Sequence, residues 1–77
     1  LPEKQMINHY IRGKEPFKVG QLVRNDGIMR DDSLFIVLEV RWLTESCRWM
    51  LLVLGQRSGI SFHRHSYWFA PVVKTTA

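Results

Sequence analysis

Apolar residues gather most densely between Leu34 and Gly55, in the stretch LFIVLEVRWLTESCRWMLLVLG. A polar break at Thr44-Glu45-Ser46 divides it into two runs, which predicts a β-hairpin at the centre of the fold. In the first run the even positions Leu34, Ile36, Leu38, Val40 and Trp42 are all apolar. The odd positions Phe35, Val37, Glu39, Arg41 and Leu43 turn polar in the middle. Strand side chains alternate between faces, so the even set is expected to point to the core. In the second run Trp49, Leu51 and Val53 fall on one face and Met50, Leu52 and Leu54 on the other. Both faces are apolar, as expected of a strand that is buried on both sides or offers one side to a partner.

A single long helix is the competing reading, with Asp31-Asp32-Ser33 as its start. The density of Val, Ile, Phe and Trp, and the closing Gly55, favour strands. Glu39, Arg41, Glu45 and Arg48 interrupt the apolar stretch, which argues against a transmembrane helix.

Around this hairpin the pattern predicts shorter elements. Leu1 to Pro16 is polar apart from Met6, Ile7, Tyr10 and Ile11. It reads as an arm with a helical turn or two, ended by Gly13 and Pro16. The arm is either loose or packed on a neighbouring subunit. Gly20 suggests a tight turn feeding a strand at Gln21 to Arg24, and Asn25-Asp26-Gly27 is a turn. Ile28 to Ser33 reads as a polar surface loop. Gln56 to Gly59 is a further turn, Ile60 to His65 a strand, Ser66 to Phe69 a helical turn and Ala70 to Val73 a last short strand. This divides the chain into an arm (1–16), an all-β domain of about five strands (17–73) and a tail (74–77).

The chain has 77 residues, enough for one small domain, and its 45% hydrophobic content is that of a globular protein. Its single cysteine excludes an internal disulfide framework and a four-cysteine zinc site, and fits a cytoplasmic or otherwise reducing setting. The N-terminal LPEKQ has no apolar core, so no secretory leader is expected. Met6 as initiator, with residues 1–5 a cloning remnant, and processing of a longer chain are both open.

The order Val19-Gly20-Gln21-Leu22-Val23, Phe35-Ile36-Val37-Leu38-Glu39-Val40, Leu52-Val53-Leu54, Ser58-Gly59-Ile60-Ser61 and then a turn containing Trp68 resembles small SH3-like barrels. In particular it resembles short proteins encoded by tailed bacteriophages, cyanophages among them. The resemblance covers about Phe17 to Val73 and implies a viral protein of the virion or the infected host's cytoplasm. It departs from those proteins at Gln21, where Asp is common, at Gly55, where Trp is common, and in a longer loop before Leu34. Barrels of this kind serve many roles, so fold alone does not give function.

Candidate chemistry is sparse. His63 and His65 would share one strand face and could chelate a metal with His9 or Cys47, but a zinc site needs three or four ligands and no further ligand lies nearby in sequence. Cys47 beside a histidine could form a nucleophile–base pair, yet no glycine-rich oxyanion loop accompanies it, and a lone cysteine at a strand start is expected to pack. No phosphate-binding loop, dinucleotide fingerprint or carboxylate pair is present. The Val-Gln-Ile-Tyr signature of type II dihydrofolate reductases is absent too. The expectation is therefore no enzyme, no metal and no cofactor.

Two binding readings remain. The excess of apolar residues at Trp49, Met50, Leu52 and Leu54 points to a protein interface, formed with a partner or a second copy, unless the N-terminal arm covers this face through Tyr10 or Ile11. The alternative is a nucleic-acid surface made by Arg48, Arg57, Arg64, Tyr67 and Trp68, for which the net charge of +4 is permissive. Asp26, Asp31, Asp32, Glu39 and Glu45 would dilute such a surface.

Overall fold

The computed structural model describes residues 9–29 and 32–72. Met6, Ile7, Asp31, Val73 and the tail, to which the sequence reading gave roles, lie outside the described residues. The elements are β1 (Leu22–Arg24), β2 (Leu34–Leu43), β3 (Arg48–Gly55), β4 (Ser61–His65), a 3-10 turn (Ser66–Trp68) and β5 (Ala70–Pro71). They form one antiparallel sheet in the order β4-β3-β2-β1-β5. The all-β class, the five strands and the helical turn before the last strand are those the sequence predicts.

The sheet is rolled rather than flat. The Phe35 ring of β2 meets Phe62 of β4 and Phe69, just ahead of β5, edge-to-face with centroids 5.6 Å away in each case. Both edge strands thus converge on one ring, which gives a barrel-like shape. Phe17, Val23, Phe35, Val37, Leu51, Val53 and Phe69 make the buried core, with Ile28, Met29, Val40 and Phe62 packed against it. Burial of each large side chain contributes about 1.5–3 kcal/mol.

The even-face expectation for β2 holds only in its second half. Phe35 and Val37 are fully buried, whereas Leu38 is 40% exposed. The cause is a β-bulge. Val37 pairs with Val53 and Glu39 with Leu52, so Leu38 has no cross-strand partner. The extra residue reverses the phase of the strand. Odd positions face inward before Leu38, and Val40 and Trp42 face inward after it. Trp42 then pairs with Trp49, edge-to-face at 5.3 Å.

The loop before β2 also differs from the polar surface loop expected. Asp32 is only 4% exposed. Its carboxylate accepts hydrogen bonds from the Arg57 N–H (2.7 Å), the Ser58 N–H (3.2 Å) and the Ser58 hydroxyl. It thereby organises the β3–β4 turn. Ser58 holds the Asp32 carboxyl below its usual range, helped by the two backbone donors and the Arg57 charge, against the opposing effect of desolvation.

Two predicted turns are present with identifiable chemistry. Gly20 has φ +90° and donates to the Val37 carbonyl at 2.7 Å, a conformation that favours glycine. Asn25 Oδ1 accepts from the Gly27 and Ile28 N–H groups at 2.7 and 3.0 Å, an Asx turn. Cys47 does not begin a strand and pack, as expected, but sits exposed in the β2–β3 turn with φ 54°. Among the described residues no helix is long and apolar enough to cross a membrane.

Candidate functional site

The outward face of the β2–β3–β4 hairpins can be read from the strand register. One row across the sheet is Leu22, Ile36, Leu54 and Ser61; the next is Glu39, Leu52 and His63; the third is Arg41, Met50 and His65. The bulge adds Leu38 beside Glu39. Leu22, Ile36, Met50, Leu52 and Leu54 are half-buried and Leu38 is exposed. Together they form a continuous apolar stripe bordered by the histidines on one side. On the other border Arg41 and Glu39 lie 3.7 Å apart as an exposed ion pair, which adds little stability.

Trp49, which the sequence reading grouped with Met50, Leu52 and Leu54, is not part of this surface. It lies on the inner face of β3 and is buried. Alternation along β3 separates it from the other three. Its indole N–H donates to the Ile11 carbonyl at 2.9 Å, and its backbone N–H to the His9 carbonyl at 3.4 Å. The arm thus docks on the β4-side edge of β3, where β4 has turned away into the 3-10 turn. His9 Nδ1 and the buried Ser66 hydroxyl are 2.8 Å apart, and burial lowers the His9 pKa. The described part of the arm is therefore committed to Trp49 and Ser66 rather than to the Met50-Leu52-Leu54 face.

A second surface surrounds the 3-10 turn. The Tyr67 ring stacks near-parallel with Tyr10 (6.3 Å), His65 (5.4 Å) and Trp68 (6.0 Å). Arg48 lies over Tyr67 at 5.6 Å, and Arg64 lies over Trp68 at 5.4 Å and Phe62 at 5.8 Å. Such contacts hold a guanidinium flat without neutralising it. Arg48 Nη1 also donates to the Tyr67 hydroxyl at 3.4 Å. Tyr10, Tyr67 and Trp68 remain 55%, 38% and 45% exposed.

Beside Trp68 lies an open recess of about 320 Å³. It is lined by two chain segments, Arg24 to Asp26 and Tyr67 to Ala70. The Asn25 side-chain amide donates to the Trp68 carbonyl, which ties the Asx turn to the 3-10 turn. Arg24 and Asp26 form an ion pair at 3.0 Å.

Of the predicted nucleic-acid residues, the fold brings Arg48, Arg64, Tyr67 and Trp68 together. Arg57 is apart from them, in the β3–β4 turn, roughly 24 Å along β3 from Arg48 at about 3.4 Å per residue. Tyr10 was not singled out for this surface, because nothing near it in sequence foretells its stacking on Tyr67. His63 and His65 do share the outward face, but His65 stacks on Tyr67 and His9 is held by Ser66. Among the described residues no three His, Cys, Asp or Glu side chains converge as a metal site would require.

Comparison of the chain with protein-family profiles, with curated proteins and with solved structures finds no match.

Proposed function

We propose that this chain is a non-enzymatic binding module that assembles with a protein partner through the outward face of its central hairpin. The observation that carries this reading is the apolar stripe of Met50, Leu52 and Leu54 along β3, with Ile36, Leu38 and Leu22 beside it, on the side of the sheet opposite the core. A sheet with one face in water ordinarily alternates apolar and polar residues. β3 does not alternate, and contiguous apolar surface on a small domain marks an interaction site. The SH3-like and tailed-phage resemblance supplies a context in which the partner is another virion protein or a second copy of the chain.

Leu52 is central to the stripe, so Leu52→Glu should abolish the complex while leaving the inner core untouched. Sedimentation velocity over a concentration series, alone and with structural proteins of the same particle, reads the outcome. A protein that sediments as a monomer throughout, and forms no complex that Leu52→Glu removes, would sink this reading.

A further inference from the structure

We propose that the aromatic and basic surface around the 3-10 turn is a second, independent site, one that holds single-stranded nucleic acid by base stacking and phosphate contact. This goes beyond the assembly reading and uses none of its residues.

Three features carry it. Tyr10, Tyr67 and Trp68 are large exposed rings held by mutual stacking and by the Asn25 tether to the Trp68 carbonyl. Exposed rings of fixed orientation accept unpaired bases, whose π-faces a duplex would hide. Arg48 and Arg64 flank these rings, and neither pairs with a carboxylate among the described residues. The buried Nε of Arg64 has no hydrogen-bond partner, so its orientation is set by Phe62 and Trp68 rather than by a counter-ion. The recess beside Trp68, about 320 Å³, is large enough for a base. The acid on its rim, Asp26, is already paired with Arg24.

The division of roles follows from the chemistry. Tyr67 and Trp68 supply the stacking platform, and Arg48 and Arg64 the phosphate contacts. The same Arg residues would attract any polyanion, so the aromatic contribution distinguishes a nucleic-acid site from general charge attraction.

The test is fluorescence anisotropy of a labelled oligothymidylate across a sodium chloride series. Duplex DNA and inorganic polyphosphate serve as competitors. The oligothymidylate should bind with an affinity that falls as salt rises, and outcompete both. Trp68→Leu and, separately, Tyr67→Leu should each weaken binding on the order of tenfold with the salt dependence retained. Arg64→Gln should reduce the log–log salt slope by about 0.7, the contribution of one phosphate contact to a single strand. Thermal melts verify that each variant is folded, and Trp68→Leu decides the matter if Tyr67→Leu is not. Leu52→Glu should bind the oligonucleotide as the parent does, which separates this result from the assembly reading. Absence of binding at low salt overturns the proposal. So does equal competition by polyphosphate together with unchanged affinity in both aromatic variants.

Discussion

The Asp32 carboxylate fills the space that a side chain on Gly55 would occupy. A Cβ built on Gly55 would lie 2.1 Å from Asp32 Oδ2 and 2.8 Å from its Cγ. Gly55 therefore matters not for backbone freedom but for the room it leaves. Through that room the loop before β2 reaches under the β3–β4 turn and captures the Arg57 and Ser58 N–H groups.

Gly55→Ala should accordingly destabilise the fold, by on the order of 1–3 kcal/mol as overpacking commonly does. Urea denaturation measures the change. Asp32→Ala in the same chain should recover part of the loss, because it removes the carboxylate against which the added methyl clashes. Purely additive losses in the double variant would contradict this geometry.

The same carboxylate makes stability depend on acid. Ser58, the two backbone donors and the Arg57 charge hold its folded-state pKa below the unfolded-state carboxyl value of about 3.9. Its contribution is complete above that unfolded value and is lost as pH falls through the folded pKa. Urea midpoints measured from neutral pH downward should therefore drop in the acid range. In Asp32→Asn that drop should be smaller, with a lower midpoint at neutral pH. An identical acid limb in both proteins would remove Asp32 from the explanation.

The bulge yields a less intuitive expectation. Leu38 is the residue without a partner, and Val37 faces in while Glu39 faces out. Deleting Leu38 restores regular alternation and leaves both faces as they are. The deletion should fold and retain the Trp42–Trp49 pair, visible in near-UV circular dichroism. Inserting an alanine after Leu38 also permits strict alternation, but it moves Val40 two positions along β3, from Leu51 to Trp49, and so should abolish the Trp42–Trp49 pair and destabilise the hairpin. A deletion more damaging than the insertion would contradict the phase assignment.

The legible parts of the fold are those that local chemistry determines. Asn25-Asp26-Gly27 turns because Asn25 accepts from the two amides that follow it. The β2–β3 hairpin follows from two apolar runs around a polar break. What could not be read depends on pairing across the sheet. The bulge at Leu38 is a property of the β2–β3 register, and the sequence around it alternates well enough to hide it. Asp32 looks like a loop carboxylate until Gly55 is opposite it. Trp49 looks like interface until the alternation of β3 is anchored by Trp42. For the site, the cluster of Arg48, Arg64, Tyr67 and Trp68 was legible in part from sequence, since Tyr67 and Trp68 lie in the 3-10 turn and Arg64 just before it. Tyr10 joins through a contact from the far end of the chain, and Arg57 leaves because a whole strand intervenes.

The two-sided apolar character of β3 has a consequence for folding. In most strands a slip by one residue is forbidden because it drives polar side chains into the core and apolar ones into water. In β3 such a slip would exchange Trp49, Leu51 and Val53 for Met50, Leu52 and Leu54, one greasy set for another. Hydrophobicity alone barely separates the native pairing from its neighbour. The residue that does separate them is Gly55, since only a position without a side chain can stand opposite the Asp32 carboxylate. A buried acid and a glycine thus act as an index mark, selecting one alignment of the hairpin from two that water would accept almost equally.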